Sequence, residues 1–206
     1  MADEGNKKIA DKIPDLSQIE MRFSFIKDDA LRVNTSLAFQ YIIFLIAVLD
    51  KEDAEGTTIG SSIQKNLIIY SATIIEGCLH YCLKSYLEKG KVKNEDVMKT
   101  EWLTKEHKRI YDISKREYIC GAIRYEKIES YDEKLQFQEL NRTCKRANIL
   151  TERLFEKAEE IREKRNKIHL AGLGAVDSVY SKKDAQNVFS DARDIIGRVE
   201  VLLKAL

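Results

Sequence analysis

Four neighbouring residues have types suited to chemistry on a phosphate: Arg162, Arg165, Asn166 and His169, in the segment EEIREKRNKIHL (159–170). An arginine offers fixed donors to an anion. A histidine with a pKa near ~6.5 can both take and give a proton near neutrality. On an α-helix at about 100° per residue, with Leu154 at zero, Leu154, Ala158, Ile161 and Ile168 form an apolar stripe within roughly 40° of zero. Arg165 falls at about 20°, inside that stripe, while His169 and Arg162 fall at about 60° and about 80°, along its edge. Asn166 lies at about 120°, just beyond them. A charge within an apolar stripe is costly unless paired or solvated. Two arrangements satisfy it. Either Arg165 snorkels to the rim and pairs with an acidic neighbour, or Arg, Asn and His converge on an anion in a cavity or subunit seam.

The other candidates are weaker. His80 sits in a mostly apolar stretch and is expected to be packed or at a helix edge; His107 sits among charges and is expected to be solvated. Cys78 and Cys82 flank His80 without a CxxC partner, so they read as buried thiols rather than metal ligands. Tyrosines and basic residues interleave at Lys108, Arg109, Tyr111, Lys115, Arg116, Tyr118, Arg124 and Tyr125. That pattern fits either an RNA-contacting patch or a helix surface with half-buried tyrosines. A Gly-rich phosphate loop, an HExxH pair and a nucleophile elbow are all missing from the sequence, so kinase, metalloprotease and esterase readings have no support.

The late arginines, the Arg165-Asn166 pair and His169, followed by a short glycine loop (Gly172, Gly174) and a capped final helix, resemble the HEPN superfamily. Its signature is Arg, four to six residues, then His, often with a polar residue after an arginine. Arg162 and His169 enclose six residues; Arg165 is followed by the polar Asn166 but stands only three residues short of His169. Which arginine acts is therefore open. The segment NLIIYSATIIEGCLHYCL (66–83) also resembles an early core helix of that fold. The resemblance covers about 63–90 and 148–206. It implies a helical bundle that dimerises with two motif helices facing each other. It also implies a metal-independent endoribonuclease or an RNA-binding protein, of the kind found in toxin–antitoxin and defence systems, with no cofactor and no metal. His169 would serve as base or acid, an arginine would stabilise charge, and Asn166 would orient the phosphate or His169.

The elements that must position these residues read as helices. Gly (9) and Pro (1) are scarce, which favours helices over sheets that need them at turns. Residues 1–14 read as a flexible tail and 15–206 as a single all-α domain. That domain is a HEPN-like helical bundle with an N-terminal helical extension and a helical insertion at about 91–147. Helical patterning runs from Leu16 to Leu49, then from about Ile63 to Lys89 with Gly90 as a stop. The insertion is expected to hold helices near 101–119 and 132–147, and no strand longer than an isolated bridge. Thr151 is a plausible N-cap for a helix running to about Leu170, and Ser181 with Asp184 resembles a capping box before a last helix with an apolar stripe of Val188, Ile195, Val199 and Leu202.

Net charge is +1, so any basic footprint for RNA must be local. The polar start carries no apolar h-region, which gives a cytoplasmic expectation with free thiols. The apolar run Leu37 to Leu49, broken by Gln40, falls short of the ~20 residues a membrane span needs and reads as a buried helix. Expected partners are RNA, a second copy with the 151–170 helices near the two-fold axis, and an antitoxin or nucleotidyltransferase. The competing functions are a non-catalytic helical interaction module and a nucleotide-binding subunit of a nucleotidyltransferase.

Overall fold

The computed structural model describes residues 13–52, 56–132, 134–168 and 180–206. The helices are α1 (Leu16–Arg22), α2 (Asp29–Glu52), α3 (Thr58–Glu88), α4 (Asn94–Val97), α5 (Phe137–Arg146), α6 (Glu152–Lys167) and α7 (Lys182–Lys204); β1 (Thr100–Ser114) and β2 (Glu117–Ile128) lie between α4 and α5.

Helix α3 is the centre. Leu67, Ile68, Ala72, Ile75, Leu79 and Leu83 are buried along it, across about half of its circumference. A helix apolar over so wide an arc must be covered by several neighbours, and α2, α5, α6 and α7 all pack against it. Thr57 caps its start, its side chain accepting from Gly60 N–H. The helix begins five residues before the expected Ile63. Its end falls where expected, with Gly90 at φ +64°, a backbone shape that glycine adopts without a Cβ penalty.

The N-terminal stretch divides into two helices, because residues 23–28 turn between α1 and α2. Along α2, Ile42 and Leu45 are buried, whereas Leu37, Tyr41, Phe44 and Ile46 are exposed. The expected buried helix is thus covered on one flank only. Asp29–Asp50 is long and apolar enough to cross a membrane by length and composition.

At the C-terminal end the caps follow the sequence. Thr151 accepts from Leu154 N–H, at 3.4 Å, and opens α6. Ser181 and Asp184 form a complete capping box at α7. Val188, Ile195 and Val199 are buried on α7, with Leu202 partly buried against the core. Helix α6 stops at Lys167, three residues before the expected Leu170. Gly172 and Gly174 lie outside the described residues, as do residues 1–12 of the expected tail.

The expectations of a purely helical insertion and of no strand beyond an isolated bridge are overturned. Residues 100–128 form a long antiparallel hairpin, with Thr100 paired to Ile128 and Ser114 to Glu117. The fold is mostly helical with one two-stranded sheet. The residues favour it: Trp102, Ile110, Tyr111, Ile113, Tyr118, Ile119, Ile123 and Tyr125 are β-branched or aromatic, types that suit a pleated surface. Two causes hid it. Register shifts between Thr104/Glu106, Arg109/Tyr111 and Asp112/Ser114 break the period of two in β1. The connecting residues Lys115 and Arg116 carry none of the Gly, Asn or Asp that mark a tight hairpin turn. Only the second expected helix of the insertion exists, as α5. Glu129 N–H donating to Lys99 O, at 3.1 Å, closes the hairpin base.

Cys78, Cys82 and Cys144 are buried and Cys120 is exposed. Burial pushes the Cys78 and Cys82 thiols up to about 12 and Cys144 well above its ordinary value. A thiolate is the reactive form. The native protein should therefore release one equivalent of thionitrobenzoate from Ellman's reagent at pH 8, and four after denaturation; more than one fast thiol in the native state would contradict this packing.

Candidate functional site

A cleft of about 670 Å³ opens where α2, α3, α6 and the start of α5 meet. Each wall follows from helical spacing. Helix α2 contributes Leu31, Asn34, Thr35 and Ala38; α3 contributes Thr73, Glu76, Gly77 and His80; α6 contributes Arg162, Arg165 and Asn166. Residues three and four apart share a helix face, so each set is one stripe. Gln136 and Gln138, beside the buried Phe137, line the remaining side.

Arg162 is held firmly. Its Nε donates to Glu159 Oε2 at 3.0 Å, and a terminal nitrogen lies 2.9 Å from the same oxygen. The other oxygen of Glu159 accepts from Asn141 Nδ2 at 2.7 Å. Asn141 is fully buried on α5. A relay of Asn141, Glu159 and Arg162 thus runs from the core to the cleft, and it fixes one arginine with little freedom left.

Arg165 is held loosely. A terminal nitrogen lies 3.7 Å from Glu76 Oε2, an ion pair beyond hydrogen-bonding range, and its side chain is 30% exposed. This is the rim pairing with an acidic neighbour weighed from the sequence. The same side chain also lines the cleft, so the two alternatives are not exclusive. Asn166 is exposed beside it.

His169 lies outside the described residues. Three of the four candidate residues therefore share one cleft, and the Arg–His spacing rests on the sequence alone. The structure adds a histidine: His80 is half-buried on the cleft wall rather than packed away, its Nδ1 3.0 Å from the Tyr131 hydroxyl. Tyr131 Oη also donates to the His80 carbonyl at 3.2 Å. The signal was present in the sequence. Thr73, Glu76 and His80 form a polar stripe along one side of α3. His107 is exposed on β1, as expected of a solvated residue.

Helix α6 is seated on α7 by Lys157, whose Nζ lies 2.8 Å from Asp191 and 2.5 Å from Asp194. Hydrogen bonds to Asp191 and Asp194 raise the Lys157 pKa, and the bond from Lys157 lowers that of Asp194. Comparison with protein-family models, curated proteins and solved structures yields no match.

Two outcomes follow. Glu159→Ala strands the buried Asn141 amide, a loss of about 1–3 kcal/mol, whereas Arg165→Ala breaks a long, partly exposed pair and changes stability by less than about 1 kcal/mol. Urea unfolding of both variants checks the order, and equal losses would contradict the relay. The second concerns pH. A carboxyl with a depressed folded pKa contributes stability above its unfolded value and loses it as pH falls through the folded one. The stability gap between wild type and Lys157→Met should be full at neutral pH and close below about pH 4. A gap unchanged at acid pH would sink this account of the seat.

Proposed function

We propose that this chain is a HEPN-like, metal-independent endoribonuclease acting at the α6 cleft. The observation that carries the reading is the convergence of Arg162, Arg165 and Asn166 on one cleft. A helix that needed only to pack would carry apolar residues on that face.

RNA brings its own nucleophile. His169 would take the proton of the 2′-hydroxyl as its oxygen attacks phosphorus, or give a proton to the departing 5′-oxygen. The P–O5′ bond breaks as the P–O2′ bond forms, leaving a 2′,3′-cyclic phosphate and a 5′-hydroxyl. No water is consumed and no metal is required. Arg162, pre-positioned by Glu159, would stabilise the charge that builds on the phosphoryl oxygens. Arg165, with its looser hold on Glu76, would turn to a bound phosphate at small cost. A cytoplasmic setting in a toxin–antitoxin or defence system belongs to this proposal.

A second reading draws on the same contacts. Glu159 on Arg162 and Glu76 on Arg165 already offset both charges. That favours a non-catalytic interaction module in which the arginines hold helices together.

Cleavage of single-stranded RNA in EDTA separates the two. Wild type should cut. His169→Ala should lose about 10²–10⁴-fold, the worth of general acid–base catalysis, and Arg162→Ala a comparable factor. Arg165→Ala should either spare the rate, as a rim pair would, or abolish cleavage with the melting temperature kept, as a phosphate ligand would. Activity that survives His169→Ala, or that vanishes in EDTA and returns with magnesium, refutes the mechanism and leaves the interaction module in front.

A further inference from the structure

The hairpin β1–β2 presents both of its faces to solvent. Among its residues only Thr100, Leu103 and Gly121 are even partly buried. Tyr111 is 65% exposed, Ile110 66%, Ile119 48% and Tyr125 48%. A two-stranded ribbon is marginal in water without something packed on one face, and so much exposed apolar surface in one element marks an interaction site.

The pairing register shows which face. Residues directly opposite across an antiparallel pair point the same way, and successive residues alternate. From base to tip, one face carries the rows Glu101–Lys127, Leu103–Tyr125 and Glu106–Ile123. It continues with Lys108–Gly121, Tyr111–Ile119 and Ser114–Glu117. Gly121 belongs to the design of this face. A Cβ there would meet Ile110, whose Cγ1 would lie 3.2 Å away, so the bare backbone lets Ile110 lie across the strand and keep the surface flush. The apolar rows are the second and the fifth, and charges sit at fixed heights between and beyond them.

We infer that this face is a self-complementary seam on which a second copy of the chain docks its own hairpin, tip to base. The charges select the partner and the direction. A two-fold axis across the strands lays β1 over β1 and β2 over β2 with the rows reversed, the first on the sixth, the second on the fifth and the third on the fourth. Lys127 then meets the partner's Glu117, and Glu106 meets the partner's Lys108. Leu103 covers the partner's Tyr111, Tyr125 covers the partner's Ile119, and Ile123 meets the partner's Gly121 with Ile110 beside it. Each contact occurs twice, as an isologous interface requires. A two-fold along the strands would instead leave Glu106 and Lys108 facing Ile123 and Gly121. Isoleucines between balanced charges suit a protein partner better than a nucleic acid, which selects basic and stacking groups. The seam lies on the hairpin and not on α6, and it stands independently of the ribonuclease reading.

The test uses the full chain and two charge reversals. A strand of about 12 residues is about 40 Å long and a two-stranded face about 10 Å wide, so the seam covers about 400 Å² per partner, the size of a weak, transient interface. Sedimentation is therefore run up to about 100 µM, where the wild type should dimerise. Glu106→Lys and Lys108→Glu should each weaken the dimer about 30-fold at low salt, since each turns two symmetric attractions into repulsions. An equimolar mixture of the two variants should dimerise again, because each supplies the charge the other now lacks. That recovery also shows that both variants are folded. Cys120, on the opposite face, should stay reactive to thiol reagents in the dimer. A monomeric wild type overturns the proposal, as does a dimer that tolerates both reversals, whose seam would be the free edge of β2 or α6. A mixture that stays monomeric overturns it too. Hairpin protection on adding single-stranded RNA to a monomeric chain would assign the face to nucleic acid instead.

Discussion

Burial of α3 is the constraint on which the rest depends. A helix of 31 residues with buried side chains across about half of its circumference cannot stand alone in water. Its six largest fully or nearly buried aliphatic side chains contribute on the order of 10 kcal/mol, as an upper estimate. Four helices gather around it for that reason. On the side of α3 away from that arc stand Thr73, Glu76 and His80. Covering helices cannot seal against polar side chains as they do against leucine, so a cleft opens there. The cleft is where the apolar coat of α3 fails.

Helix α6 meets that cleft with two arginines that differ in how they are held. Arg162 is fixed through Glu159 to an asparagine with no solvent exposure. Arg165 leans on Glu76 across a longer gap and keeps some contact with water. A half-buried carboxylate that accepts from both a core amide and a guanidinium is oriented on two sides. One arginine is therefore pre-organised while the other keeps latitude. Preorganisation matters most for a group that must stabilise charge developing in a transition state. Latitude suits a group that first captures an anion.

Legibility tracked how local each signal was. The caps at Thr151 and Ser181, the stop at Gly90 and the apolar stripe of α7 depend on residues within a turn of one another, and all were readable. The hairpin depended on pairing between residues up to 28 apart, from Thr100 to Ile128. Its three register shifts destroyed the alternation that would have shown it in one strand. Its turn lacked the residue types that demand a positive φ. A charged, irregular stretch with tyrosines carries no local mark that separates such a ribbon from a helix surface. The His80 stripe was legible in principle, since its spacing is helical. The expectation of a packed or helix-edge histidine holds for the edge, but which neighbours face that edge depends on helices distant in sequence.

The sequence by itself determined which residues could meet an anion, that the chain would be built mainly of helices, and which helix must be central. These follow from side-chain chemistry and from periodicities of a few residues. Only the tertiary structure decided that Arg162 would be tied to Asn141 through Glu159, and that Arg165 would find Glu76 on a different helix. It alone set the polar stripe of α3 against the arginines, and it alone let residues 100–128 pair as a ribbon whose faces remain uncovered. Those outcomes depend on which surfaces come together after α3 is buried. Side chains 18 to 89 residues apart, as from Asn141 to Glu159 and from Glu76 to Arg165, have no local rule that brings them together.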